Sequence, residues 1–431
     1  MSDTSLRKDR RAVLRALGAT ALAGPLAACA SLSGTRNARV VVVGGGYGGA
    51  TAAKYVRVFS GGRVDVTLVE PNAAFVSCPL SNLVLSGDRD LASLTVPYDA
   101  LVERHGVRWV RDRAAAIDIG AKQVRLAGGG TLDYDRLILS PGIDFVPGAI
   151  PGLANPTAAA QAPHAWRAGM QTLALRHRLE AMPNGGTVAI SIPLAPYRCL
   201  PAPYERACLI AHWLQRAKPE SRVLILDAND DVTSKGALFK RVWAQRYPNH
   251  IEYRPQYNAV DIDATGRVLK FDVQDAVQAD VVNLIPPQRA GAIAVSAGLA
   301  TANGRWCEVD FLSFESKVAP GVHVIGDAIQ TAPLMPKSGH MANQHGKVAA
   351  AAVVAMLAGR APDASPLYAN NCYSFATPAE AMHVNTVHRY DPAEHTMVTV
   401  PGAGGLSAAP SLEEGKLALG WSRAIWSDML G

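Results

Sequence analysis

Cysteine is scarce: six residues in 431 exclude a scaffold built on disulfides, so any bridge is an addition to a hydrophobic core. No C-x-x-C-H occurs, and the chain therefore cannot attach a c-type haem itself. Beyond the first 30 residues no apolar run is long enough to span a bilayer. No basic run interleaved with aromatics is present, so nucleic acid is not implied. His340 and His345 are spaced five apart rather than four, which argues against a helical metal site; the metal expectation is none. The chain has room for two or three domains and a substantial core.

The net charge of +6 is half carried by the first 30 residues, where Arg7, Lys8, Arg10, Arg11 and Arg15 stand against Asp3 and Asp9. The small, mildly apolar segment Ala16 to Ala28 follows. This pattern is an export signal, and Arg10-Arg11 resembles the twin-arginine type used by proteins that fold around a cofactor before crossing. Residues 1–29 are assigned to it, with periplasmic delivery. Ala28-Cys29-Ala30 offers a small-residue cleavage site, while Leu26-Ala27-Ala28-Cys29 offers a lipobox that would place a lipid anchor on Cys29.

Behind that segment Val40-Val41-Val42-Val43 reads as a buried strand, followed by Gly44, Gly46 and Gly49 and, after a helix and a second apolar strand, by Glu70. Strand, glycines, helix, strand and acid in that order form a dinucleotide-binding unit. Gly44 allows the turn, Gly46 lets the backbone approach a pyrophosphate, and Gly49 lets the helix pack on the strand. The helix N-terminus offers free N–H groups to the anion. Glu70 is placed for a ribose hydroxyl, which suits NAD or FAD better than NADP.

Tyr134 to Gly142 reads as a strand ending in a turn, and Phe145 to Leu153 as a crossover. The pattern then restarts with a strand at 187–192, a helix from Tyr204 to Arg216 and a strand at 222–227. This second unit lacks glycines: Pro193-Leu194-Ala195-Pro196-Tyr197-Arg198-Cys199 stands where a fingerprint would be. Proline removes donors and side chains block the approach, so NAD(P)H is not expected there in the usual mode. Gly321 to Ala328 returns to a strand ending in the acid Asp327, and a helix follows through Lys347 to Leu357.

Cys78-Pro79-Leu80-Ser81-Asn82, Arg198 to Arg206, Asn283 to Gly291, Met335 to Gly339 and Asn371 to Ser374 together resemble the flavoprotein subunit family of flavocytochrome c sulfide dehydrogenase, within the flavoprotein disulfide reductases. The resemblance covers nearly the whole chain after the signal. It implies an α/β fold with two Rossmann-like dinucleotide-binding domains of the glutathione-reductase-like type plus a smaller C-terminal domain. Residues 37–150 and 285–358 would form the FAD-binding domain, 151–284 the second domain and 359–431 a C-terminal interface domain.

By the same resemblance the cofactor is FAD, with Gly44, Gly46, Gly49, Glu70, Gly142, Gly326 and Asp327 around it, and Cys78 joined to the flavin 8α-methyl. On residues alone Cys78 reads first as a free, loop-buried thiol, and the flanking Leu80-Ser81-Asn82 match turns the reading to the flavin link. Cys199 and Cys372 correspond to a redox-active disulfide, whereas Cys199, Cys208, Cys307 and Cys372 taken alone allow three pairings. A disulfide is an electrophile that HS⁻ can split into a persulfide and a thiolate. Glu205 is a general base for that proton, or merely an acid favoured at a helix N-terminus. Lys337 would hold charge near the reduced flavin, with Arg198 the weaker choice.

The activity so implied is oxidation of sulfide to sulfur or polysulfide, with electrons passing to a separate c-type cytochrome subunit that carries the haem. Trp421 and Trp426 are docking-face candidates or ordinary core. The rivals are a sulfide:quinone oxidoreductase-like enzyme, against which the charges of residues 411–431 argue, an NADH-dependent disulfide reductase, and a non-enzymatic flavin- or persulfide-carrying partner.

Overall fold

Val40 to Val43 are all buried, which is why this strand is an unbroken run of β-branched residues rather than an alternation. In the computed structural model, which describes residues 37–431, strand Arg39–Val43 pairs in parallel with Asp65–Val69 and Arg136–Leu139. The expected export segment, Arg10-Arg11 and Cys29 lie outside the described residues. The sheet has six strands, continuing to Arg108–Val110 on one edge and to Ala319–Val324 and Glu315–Ser316 on the other. Only the last strand runs antiparallel.

Helix Tyr47–Phe59 leaves the carboxyl end of the first strand and packs on helix Gly339–Leu357. The two backbones meet: a Cβ on Gly346 would lie 2.6 Å from the Gly48 carbonyl oxygen. Asn343 Nδ2 crosses the same interface to Thr51 Oγ1 at 2.9 Å.

A second sheet holds Ile251–Arg254, Arg222–Asp227, Thr187–Ile192 and Val281–Leu284, in that order and all parallel. Both predicted strands fall at 187–192 and 222–227, and the predicted helix between them spans Ala202–Ala217. The fold is therefore α/β with two parallel, helix-flanked sheets.

The C-terminal part holds a long antiparallel hairpin, Leu367–Phe375 with Ala381–Asp391, extended by Thr396–Thr399 and Gly405–Leu406. Helix Leu412–Leu430 closes it, capped by Ser411 and anchored by buried Ile425, Met429 and Leu430. Trp426 Nε1 donates to Tyr47 Oη at 3.1 Å, and Trp421 lines an internal cavity. Both tryptophans pack against the core and remain partly exposed. Among the described residues no helix is long and apolar enough to cross a membrane.

Candidate functional site

The loops leaving the carboxyl ends of the first strand of each parallel sheet line one cavity of about 540 Å³. On the first side Gly44 adopts φ +97°, a conformation open to glycine, and a Cβ on Gly49 would strike the Gly44 carbonyl oxygen at 1.8 Å. These two glycines make the turn and do not face the cavity. Gly46 does: it caps the Tyr47–Phe59 helix without a side-chain hydrogen bond, and a Cβ there would meet nothing within 4 Å. Free helix N–H groups beside open space suit an anion.

Glu70 reaches the same loop. Its Oε2 accepts from Gly45 N at 2.7 Å, and its Oε1 from Asn72 Nδ2 at 2.6 Å. The carboxylate is thus fixed at the cavity wall with lone pairs to spare for a hydroxyl. Gly142 and Gly326, with φ +65° and +73°, bring two further turns to the wall. Beside Gly326, the Asp327 Oδ1 atom is buried with no hydrogen-bond partner. Burial pushes the Asp327 carboxyl up, against the opposing pull of Arg198 and Lys337.

Lys337 does not line the cavity. Its Nζ donates to the Asp327 and Ile329 carbonyls and lies 3.7 Å from the Trp306 ring centroid, behind the wall rather than on it. Burial lowers its pKa to about 7, with the Asp327 charge opposing. Arg198, the weaker choice, is the one that lines the cavity, contacting Cys78 Sγ at 3.7 Å and the Trp166 carbonyl.

Three of the sequence motifs meet on one guanidinium. Arg206 Nε donates to Asn82 at 3.0 Å, Nη1 to Asn283 at 2.7 Å and Nη2 to the Ala165 carbonyl at 2.7 Å. The group is almost wholly buried, which lowers its pKa to about 10. Sequence reasoning quoted all three residues without connecting them, because the link spans 124 positions on one side and 77 on the other.

Cys199 and Cys372 come together. Cys199 stands at φ +58° in the proline-rich loop, its N–H held by the Lys337 carbonyl at 2.9 Å, and Cys372 lies on strand Leu367–Phe375. Both are free thiols in mutual sulfur hydrogen-bond contact. The contact with Cys372, together with burial, pushes the Cys199 pKa well above the usual thiol value. That of Cys372 falls, through the bond from Cys199 and, against burial, through the Lys235 ammonium. Cys208, left open by the sequence, is in the core beside Trp243, and Cys307 is buried near Lys337.

Glu205 lies in the first turn of helix Ala202–Ala217 and on the cavity wall. Burial raises its pKa to about 8, partly offset by Lys235. Sequence reasoning missed Lys235, whose amine is buried against Cys372 O at 2.8 Å and Ser374 Oγ at 2.7 Å. No spacing could have signalled it, since it stands 137 residues from Cys372. Among the described residues no cluster of ligating side chains could hold a metal. The arrangement can hold an elongated anionic dinucleotide at one end and present a thiol pair with an acid at the other.

Comparison with known proteins agrees with this geometry. Residues 172–286 match the family model described as sulfide dehydrogenase [flavocytochrome c] flavoprotein chain, central, and residues 364–430 match flavocytochrome c sulphide dehydrogenase, flavin-binding. Residues 38–188 match pyridine nucleotide-disulphide oxidoreductase. The chain is 63% identical over 46 residues to the sulfide dehydrogenase [flavocytochrome c] flavoprotein chain of Chlorobaculum thiosulfatiphilum, covering 11% of this chain and 94% of that sequence. It is 24% identical to the mitochondrial sulfide:quinone oxidoreductase of Mus musculus over 72% of this chain and 70% of the relative. The solved sulfide:quinone oxidoreductase of Aquifex aeolicus superposes with a TM-score of 0.72 at 17% identity, covering 91% of both chains, which bears on fold alone.

Proposed function

The chain belongs to the flavoprotein-chain family of flavocytochrome c sulfide dehydrogenase, and from that premise we propose that it oxidises sulfide to sulfur or polysulfide and passes the electrons to a separate c-type cytochrome. It is a flavin oxidoreductase acting on sulfide. The observation that carries it is the Cys199–Cys372 sulfur contact in the cavity that also contains Gly46, Glu70, Asp327 and Cys78.

The residues fit FAD. The uncapped helix start at Gly46 would take the pyrophosphate, Glu70 the adenosine ribose, and the unpartnered Asp327 Oδ1 a hydroxyl of the ribityl arm. Cys78 Sγ, on the wall, would hold the cofactor covalently. Bound FAD supplies a two-electron acceptor that releases electrons singly.

The chain's own residues do the sulfur chemistry. In the oxidised pair the Cys199–Cys372 disulfide is the electrophile that HS⁻ splits. Glu205, on the same wall, accepts the proton released when it is ionised. Arg198, lining the cavity beside Cys78, favours anionic sulfide there. Arg206 locks Asn82 and Asn283 so that the Cys78 and Cys199 loops keep a fixed separation.

Export to the periplasm through Arg10-Arg11, with Cys29 as the site of a lipid tether, belongs to the same reading and is supported by the residue pattern of positions 1–30. A quinone acceptor is the second reading, favoured by the similarity to sulfide:quinone oxidoreductases. Anaerobic sulfide titration tests both. The first reading expects flavin bleaching and prompt reduction of added c-type cytochrome; reduction of a quinone alone supports the second, and absence of bleaching removes both.

A further inference from the structure

Lys235 has no place in the chemistry described so far, yet its ammonium is buried against the strand that carries Cys372. Only 7% exposed, it stands at φ +56° immediately before helix Gly236–Arg246. Two of its three donors go to Cys372 O and Ser374 Oγ, which leaves one unassigned donor. An ammonium kept out of water requires an anion nearby. Burial lowers the Lys235 pKa, and the charges of Cys372, Glu205, Cys199 and Glu414 oppose that fall and favour the ammonium.

We propose that Lys235 is a positioning residue that keeps the negative charge of the pair on Cys372, making Cys372 the leaving sulfur and Cys199 the sulfur that receives sulfide. This rests on the reading given under the proposed function. HS⁻ bonds to Cys199 Sγ, the Cys199–Cys372 bond breaks, and its electron pair departs on Cys372 Sγ as a thiolate. The sulfide sulfur becomes the outer atom of a Cys199 persulfide, and its proton passes to the Glu205 carboxylate. No further oxidant enters this step. Thiol–disulfide exchange is faster when the departing thiol is the more acidic one, and a Lys235 ammonium held on the Cys372 carbonyl at 2.8 Å favours charge on that residue's sulfur over its partner's.

The groups facing the pair are few. Lys235 comes from the Gly236–Arg246 helix start, Glu205 and Arg206 from helix Ala202–Ala217, and Arg198 and Tyr197 from the proline-rich loop. Tyr47 comes from the first helix, and Glu414 from the last acts on Lys235. Of these, Arg198 acts on Cys199, whereas Lys235 acts on Cys372 foremost and on Cys199 less, its Nζ being held on the Cys372 carbonyl at 2.8 Å.

Two measurements on the holoprotein test the assignment. One equivalent of sulfide is added anaerobically to the oxidised protein, trapped with iodoacetamide and mapped by peptide mass without reductant. The expected result is one extra sulfur on Cys199 and simple alkylation of Cys372. Extra sulfur on Cys372 overturns the assignment while leaving the sulfide reading intact, and no extra sulfur on either cysteine overturns both. Separately, the pH dependence of iodoacetamide capture at each cysteine is followed in the reduced wild type, Lys235→Gln and Lys235→Arg. Glutamine keeps two donors without the charge. It is expected to raise the Cys372 midpoint by at least about one pH unit, with arginine restoring it. Equal shifts at both cysteines, as a purely structural tether would produce, overturn the proposal. If Lys235→Gln does not fold, the sulfur map of the wild type still decides.

Discussion

Glu205 offers the sharpest quantitative test of the site. Its carboxyl is buried within the cavity wall, and that burial raises its pKa from 4.5 to about 8, with Lys235 opposing. A pKa raised on folding means that the unfolded chain releases its proton first. The stabilising contribution is complete below pH 4.5 and is lost as pH rises toward 8. At about 1.4 kcal/mol per pH unit, the full window is worth about 5 kcal/mol. Glu205→Gln cannot ionise and escapes this loss.

Urea unfolding of wild type and Glu205→Gln at pH 5, 6, 7 and 8 therefore expects a stability difference that moves in favour of glutamine by about 1.4 kcal/mol per unit. The catalytic counterpart has the same origin. Glu205 is mostly protonated at pH 7, so sulfide oxidation rises through a limb near pH 8 where the carboxylate forms, and the variant loses that limb. Two stability curves that stay parallel from pH 5 to 8 refute the burial argument. A limb that survives in the variant refutes the proton-acceptor role.

Gly49→Ala places a methyl 1.8 Å from the Gly44 carbonyl oxygen, where both partners are backbone, so a loss of at least about 3 kcal/mol is expected in urea unfolding. Arg206→Met leaves the Asn82 and Asn283 side-chain oxygens and the Ala165 carbonyl without their donor, while the His164 carbonyl keeps Asn283 Nδ2 at 2.9 Å. A cost of about 3–5 kcal/mol follows, read as a lower urea midpoint. Cys78→Ser removes the sulfur proposed to hold the cofactor, and acid precipitation should then release all flavin into the supernatant, whereas the wild-type pellet retains it.

How far the site was legible depended on whether its logic was local. The strands at 187–192 and 222–227 were readable because both are continuous apolar runs bounded by glycine or charge, as expected of strands covered on two faces. The Gly44 to Glu70 unit was readable because its parts follow one another within a single strand–helix–strand. The partners of the Lys337 ammonium were not legible because a sequence position before a helix fixes the backbone but not the direction of a long side chain. The Cys208 ambiguity vanished only when the helix starting at Ala202 turned that side chain toward Trp243. The C-terminal hairpin was hidden by mixed burial along its strands, where the alternation of a half-solvated sheet is broken.

The second parallel sheet shows why the missing glycines were the most informative absence. Loops at the carboxyl ends of parallel strands are where such folds bind ligands, and the loop from Pro193 to Cys199 occupies that place. In a nucleotide cradle its backbone N–H groups would point at phosphate. Here Pro193 and Pro196 have none, and three others are committed: Ala195 N to Asn229 Oδ1 at 3.0 Å, Arg198 N to Gln288 Oε1 at 2.9 Å and Cys199 N to the Lys337 carbonyl at 2.9 Å. These bonds hold the loop rigidly in a shape that brings one sulfur to the cavity. The location of the ligand-binding loop is kept while its chemistry changes from anion capture to sulfur presentation. Because both first-strand loops border the same cavity, Cys199 from one and Gly46 from the other open onto a single space, which Cys372 joins from the C-terminal hairpin.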